Sequence, residues 1–308
     1  MGRRPRAPRL STSGGPGTPV PADLRRREQA MTIVGFIGLG DQGAPMAQAV
    51  SERFELHVWA RRPQSLEALT GYTYTVQESV AALAGAVDVL LLCLRDDGDI
   101  RDLLDNQQLL EGLRAGTVVV NHGTGDPGEG AALAERFAAG GIPFLDAPVS
   151  GGGPGAKART LTTFVGGEHD AYDRCVPIFE TFSRTVVHMG DSGTGQLTKL
   201  LNNSMTMSNL KNAADMLRIA AQLDVKIGPL VEAISVSSGA SFMLGALNTE
   251  ITPDIAPHLQ TLMRKDIEHF ADAVRARGVD PSELHDRGLA GANGLVEAVG
   301  IVAGSPPA

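Results

Sequence analysis

A β-branched and apolar run, Thr32 to Ile37, ends in glycine and is followed by Ala44 to Arg53, a stretch of helix-forming composition. That order reads as strand, turn, helix. The turn carries Gly38, Gly40 and Gly43, the spacing of a dinucleotide-binding fingerprint. The first glycine serves the tight turn, the second lets a pyrophosphate approach the backbone, and the third allows close helix packing. An anionic phosphate would then meet the positive end of the helix.

The rest of the chain extends this pattern. Leu56 to Ala60, Val87 to Leu94, Thr117 to Val120 and Ile142 to Leu145 read as further strands, with helical stretches around Ser65, Ile100 and Ala131. Thr160 to Val165 and Thr185 to His188 add two more, around a helix from Ala171 to Thr181. Strands alternating with helices imply an α/β fold with a parallel, doubly wound sheet. After Gly195 no convincing strand follows up to Arg277, and apolar positions in Met205 to Leu223 and Leu259 to Val274 recur at helical spacing. Residues 31–193 are therefore expected to form a Rossmann-type domain and residues 194–308 an all-helical one for substrate binding and dimerisation.

Residues 1–30 hold seven Arg, two acids and a Ser-Thr-Ser-Gly-Gly-Pro-Gly-Thr-Pro stretch, with no apolar period to bury. Disorder is expected there, and Met31 is a candidate start. An Arg-rich, acid-poor leader also suits a transit peptide, although its prolines and glycines spoil an amphipathic helix. The remainder carries 20 basic and 33 acidic residues, a net charge of -13. So acidic a body argues against nucleic-acid partners. No stretch approaches the roughly 18 consecutive apolar residues of a membrane span. Cys93 and Cys175 lack the neighbours of a metal site or a paired-thiol motif, so two buried, reduced thiols, no metal and a cytoplasmic enzyme are expected.

Two features bear on chemistry. Gly195, Lys199 and Asn203 recur every fourth residue, which on a helix puts a bare backbone, an ammonium and an amide on one stripe. Asn202-Asn203 inside a helix is unfavourable by propensity and calls for a reason. At the end of the second strand, where an NAD site offers an acid to the ribose about 20 residues past the fingerprint, this chain has Ala60-Arg61-Arg62-Pro63. Two guanidiniums and no carboxylate favour a 2′-phosphate, hence NADPH over NADH. The bland alternative is a pair of solvated surface charges.

Four segments, Phe36 to Met46, Asp146 to Gly152, Gly193 to Asn203 and Lys265-Asp266, in this order resemble the signature blocks of the β-hydroxyacid dehydrogenase family. That family includes 3-hydroxyisobutyrate dehydrogenases and tartronate semialdehyde reductases and is related to imine reductases. The resemblance covers nearly all of residues 31–275. It implies that Lys199 is the general acid and base, that Asn203 positions the substrate, and that Ser150, Gly151 and Gly152 hold a substrate carboxylate. Lys265 corresponds to a lysine near the cofactor and substrate cleft. Gly38, Leu39, Gly40, Asp41, Gln42, Gly43, Arg61, Arg62, Leu94 and Thr124 complete the expected cofactor contacts. A homodimer or larger assembly built on the helical domain is also implied.

One block departs from the pattern. Where the family has a Ser-Thr pair, this chain has Asn121-His122-Gly123-Thr124, so a hydroxyl donor is lost and space is expected in its place. His122 is either a compensating substrate contact or a solvated or hydrogen-bonded loop histidine. The expected activity is NADPH-dependent hydride transfer, in either direction, between nicotinamide and a β-hydroxyacid, its semialdehyde or a related carbonyl compound, a bulkier one or one without a carboxylate included. The alternatives are imine reduction, against which Lys199 argues, and a non-catalytic NADP-binding module, which would have less need of the lysine. Phe242 and Met243 are read either as pocket lining or as core. The glycine-rich segment beyond Asp280 suggests no role.

Overall fold

The computed structural model describes residues 32–304, so the expected disordered extension, residues 1–30, lies outside them. Period-two alternation of apolar side chains shapes the first half. Val34 and Phe36 of β1 (Ile33–Ile37), Val89 and Leu91 of β4 (Val89–Leu92) and Val118 and Val120 of β5 (Val118–Asn121) share one buried cluster. Their neighbours Ile37, Leu90, Leu92 and Val119 share another. One strand thus feeds two cores on opposite faces of a sheet. Helix α1 (Gly43–Ser51) covers the first face with Met46, Ala47 and Val50. Helices α2 (Val80–Ala86), α3 (Asp97–Asn106), α4 (Leu109–Gly112) and α5 (Pro127–Ala138) cover the second.

The other strands are β2 (Glu55–Trp59), β3 (Thr75–Val76), β6 (Phe144–Asp146), β7 (Val149–Ser150), β8 (Leu161–Gly166) and β9 (Ser183–Gly190). Their order is β3-β2-β1-β4-β5-β6-β8-β7, with β9 also paired to β8. β3 to β6 along this order are parallel, as expected, but β8 runs antiparallel to β6 and β7. The reason is chain length. Parallel neighbours need a crossover of roughly a dozen residues, and β7 is joined to β8 only by the short α6 (Gly152–Lys157). Helix α7 (His169–Phe179) then carries the chain to β9, parallel to β8. The helical stretch expected around Ser65 is a 3-10 turn, Pro63–Leu69.

From Thr194 onward the described residues are helical: α8 (Thr194–Gln222), α9 (Ile227–Ser235), α10 (Phe242–Thr249), α11 (Ala256–Arg275), α12 (Ser282–Asn293) and α13 (Leu295–Val302). The 29 residues of α8 extend about 43 Å at the usual helical rise. Leu200, Met207, Leu210 and Leu217 on this helix join Ile267, Phe270, Leu295 and Val299 in a third core. The glycines beyond Asp280 have a packing role, since a Cβ on Gly291 would overlap the Met207 carbonyl oxygen. Hydrogen in its place lets α12 lie directly on α8. Met243 is buried in the same core, whereas Phe242 is exposed. None of the described helices is long and apolar enough to cross a membrane.

Candidate active site

β1 lies between β2 and β4, so strand order reverses at its carboxyl end and a crevice opens there. Gly38, Leu39 and Gly40 line it from β1, Trp59, Arg61 and Arg62 from β2, and Leu94, Arg95 and Asp99 from the β4 side. The three glycines do different things. Gly38 has φ +107° and a Cβ on it would overlap the Cys93 carbonyl, while a Cβ on Gly43 would overlap the Gly38 carbonyl. Gly40 faces open space within 4 Å. The first turn of α1 has no side-chain cap; Ala44 N–H donates to the Gly40 carbonyl at 2.9 Å and Pro45 has no N–H, so the Gly43 amide is the one that this turn leaves for a ligand. A dinucleotide pyrophosphate fits this cradle. Asp41 turns away from it toward Gly153 and Lys157, and neither it nor Gln42 lines the crevice.

Arg61 is engaged rather than free. Its Nη1 donates to Asp99 Oδ1 at 3.2 Å and its Nη2 to Asp102 Oδ2 at 2.9 Å. Arg62 is exposed. Both thiols are reduced, and burial pushes each up to about 12, so neither is a thiolate at neutral pH. Among the described residues no cluster of three or more His, Cys, Asp or Glu could hold a metal.

The start of α8 is tied to the sheet by buried polar groups. Asp146, 0% exposed at the end of β6, accepts the Gly193 N–H at 2.7 Å and the Gln196 N–H at 2.8 Å. These are first-turn donors that α8 cannot satisfy itself, because its N-cap is Gly193 with φ +88° and no side chain. Gln196 is 1% exposed. Its Nε2 donates to the Gly123 carbonyl at 2.6 Å and its Oε1 accepts the Gly125 N–H at 2.9 Å. The helix end is therefore fastened to β6 and to the loop that also carries the half-buried Thr124.

Lys199 follows one turn later, partly buried. Among the described residues no hydrogen bond or ion pair engages its Nζ. Burial pulls its pKa below the ordinary lysine value, and the Asp266 carboxylate opposes that shift. Burial in turn raises Asp266, against Lys199 and a hydrogen bond donated by Asn203 Nδ2 at 2.8 Å. Asn202 Nδ2 donates to Asn203 Oδ1 at 3.2 Å and to Ser150 Oγ at 3.4 Å. The two asparagines thus bridge α8 to α11 and to β7, which explains their place inside a helix. Gly151 and Gly152 follow Ser150 with φ +126° and +61°. Lys265, beside Asp266, is exposed and acts on Asp96 across the interdomain junction.

A cradle of nucleotide-binding form opens at the end of β1, and the Lys199 amine stands on the helix that follows the sheet. Residues 33–190 match the NAD-binding domain of 6-phosphogluconate dehydrogenase, and residues 193–284 the NAD-binding domain of NADP-dependent 3-hydroxyisobutyrate dehydrogenase. The chain belongs to the β-hydroxyacid dehydrogenase family. It is 30% identical over 215 residues, 69% of this chain and 71% of the other, to a 2-(hydroxymethyl)glutarate dehydrogenase of Eubacterium barkeri. It is also 30% identical over 220 residues to an NAD-dependent L-serine dehydrogenase of Pseudomonas aeruginosa, covering 71% and 74% of the two chains. In fold it is similar to a Mycobacterium tuberculosis 3-hydroxyisobutyrate dehydrogenase solved with L-serine. The TM-score is 0.74 at 22% identity, covering 89% of this chain and 99% of that one.

Two expectations about the departing loop of this dehydrogenase are corrected. His122 is no substrate contact: it is 2% exposed and stands edge-on to Phe179 and Phe182, with centroids at 5.3 and 5.4 Å. Its Nδ1 pairs with the Ala147 carbonyl at 2.8 Å, whereas its buried Nε2 has no partner. Alternation along β5 explains this, since His122 follows Val118 and Val120 to the face where those phenylalanines pack. Nor does Gly123 open space. A Cβ there would come within 2.7 Å of the Leu94 carbonyl oxygen, so the backbone after β4 fills the place of the missing side chain.

The buried His122 predicts a stability profile. Burial lowers its pKa to about 4, against the Ala147 hydrogen bond, whereas an unfolded histidine titrates near ~6.5. Between those values the unfolded chain binds the extra proton, so stability falls as pH drops from 6.5 to 4, by up to about 3 kcal/mol. His122→Phe is expected to flatten that stretch of the Tm-against-pH curve. Parallel curves for the two proteins would exclude this account.

Sequence reasoning missed Asp146, Gln196 and Asp266 as contributors to the site. No sequence signal pointed to the cap, because Asp191, Ser192 and Thr194 all stand beside the helix start as ordinary cap residues, and only the fold puts Gly193 at the N-cap.

Proposed function

We propose that this dehydrogenase reduces a β-semialdehyde or a bulkier carbonyl compound with NADPH, and that Lys199 is the general acid in that direction and the base in the reverse. The carrying observation is the Lys199 ammonium itself, partly buried, without a hydrogen-bond partner among the described residues, and near Asp266. NADPH, when bound at the crevice, supplies the hydride. As the carbonyl oxygen becomes an alkoxide, an ammonium both stabilises the charge and gives up a proton. Asn203, fixed by Asp266, orients the substrate oxygen without adding charge. Ser150 and the amides of Gly151 and Gly152 are the donors left for a substrate carboxylate, because no side chain fits at position 123. The preference for NADPH rests on Arg61 and Arg62 at the crevice.

NADPH oxidation measured with β-semialdehydes, bulkier ketones and cyclic imines tests the reading, and turnover of carbonyls is expected. Turnover of imines alone would replace it with imine reduction, and no turnover at all with a non-catalytic module. The Lys199 shift also sets a direction with pH. Reduction needs the ammonium and falls as pH rises through a value below lysine's usual ~10.4, while oxidation rises.

A second copy of the chain is the proposed partner. Ile219, Leu223 and Val225 are exposed and, with Met216, Leu230 and Ile234, line an apolar groove at the far end of α8. Contiguous exposed apolar surface of this kind marks association sites. A sedimentation mass of two or more chains is expected, and a mass of one chain would exclude the assembly.

A further inference from the structure

We propose that Asp99 and Asp102 set how strongly this dehydrogenase favours a 2′-phosphorylated dinucleotide, by withholding the Arg61 guanidinium from the phosphate. This rests on the reading of Arg61 as the phosphate's partner.

Arg61 follows β2, where the adenosine ribose lies in a doubly wound fold. Two of its five N–H donors are engaged, one on Nη1 with Asp99 at 3.2 Å and one on Nη2 with Asp102 at 2.9 Å. The two acids are three residues apart on α3 and so share a helix face, and that face meets Arg61. An end-on bidentate guanidinium–phosphate contact draws on the same two nitrogens. Phosphate and carboxylates therefore compete for the orientation and the charge of one guanidinium.

The two acids act differently. Asp99 lines the crevice beside Arg61, so its charge also repels an incoming phosphate. It draws on a second guanidinium as well, since Arg95 Nη2 lies 3.8 Å from it while Arg95 Nε bonds Asp96 at 3.0 Å. Asp102 lies outside the lining, and its other oxygen accepts from Asn106 at 2.8 Å. It reaches the phosphate only through Arg61. The Arg61 side chain is 55% exposed, and ion pairs at that exposure are weak and exchangeable. The acids tune the preference without blocking the site. A cofactor without the 2′-phosphate makes no demand on Arg61 and leaves the pairs in place.

The test compares the affinities of 5′-AMP and adenosine 2′,5′-bisphosphate by calorimetry in wild type, Asp102→Asn and the Asp99→Asn/Asp102→Asn double variant. Quenching of Trp59, the single tryptophan and a crevice residue, reports NADH and NADPH in parallel. The affinity ratio in favour of the bisphosphate is expected to rise about threefold in Asp102→Asn, with 5′-AMP unchanged, and about tenfold in the double variant. An unchanged or smaller ratio overturns the proposal, the smaller one because the acids would then be orienting Arg61 for the phosphate. Adding Arg61→Ala to Asp102→Asn is expected to abolish the gain. A gain that persists without Arg61 overturns the route. Equal wild-type affinities would remove the preference for NADPH by itself, while the change of ratio between variants still decides the role of the acids.

Discussion

Lys199→Ala is expected to slow carbonyl reduction roughly 10²- to 10⁴-fold, the span that a positioned proton donor contributes, with cofactor affinity intact. The loss should fall on kcat and kcat/KM alike, because the ammonium matters most once the oxygen carries charge. Two features of the surroundings make the size credible. Burial strengthens the interaction of any charge developing near the amine, and no competing acceptor holds Nζ among the described residues. Lys199→Arg keeps the charge and still fails as a proton donor, since a guanidinium does not release its proton near neutral pH. It should therefore lose most of the rate as well. Steady-state rates with NADPH and the best carbonyl of the panel decide the matter. Activity of Lys199→Ala within a few-fold of wild type would remove Lys199 from the chemistry.

Asp146→Ala is expected to cost roughly 3 kcal/mol or more, because it strands buried N–H donors at about 1–3 kcal/mol each. Gly193 and Gln196 supply the two at 2.7 and 2.8 Å, and the nearby Gly195 N–H also favours the charged form of this carboxylate. For a protein of this size that is a fall in Tm of roughly 5 °C. The same change should lower activity beyond what lost stability explains. Lys199 lies one turn from the released end, and small misplacements of a catalytic group are costly. Asp146→Asn keeps one acceptor oxygen and should fall between wild type and alanine. Melting curves at pH 7 check this, and an unchanged Tm for the alanine variant would show that the helix end finds other partners.

Much of the architecture was legible because it is written in local patterns. Alternating apolar side chains at Val34–Ile37 and Val89–Leu92 serve a two-faced buried sheet, and Gly38 and Gly43 make the close backbone approaches their spacing implied. β3 and β7, two residues each, were too short to show a period. The antiparallel β8 was hidden because strand direction depends on connection length and not on composition. At the candidate site, the Lys199–Asn203 stripe followed from helical spacing. The pairing of Asn203 with Asp266, 63 residues away, did not.

Local sequence pattern was enough to set where the longer strands and helices form, which turn has the shape of a phosphate cradle, and which helix carries the amine. These depend on periodicity and backbone freedom over a few residues. Long-range packing was needed to settle that Asp146 caps α8, that His122 turns into the core, that the Leu94 backbone fills the space at Gly123, and that Asp99 and Asp102 engage Arg61. Each of these is a buried or charged group matched to a partner distant in sequence. Composition records that such a group needs a partner, but chain folding selects which one it meets.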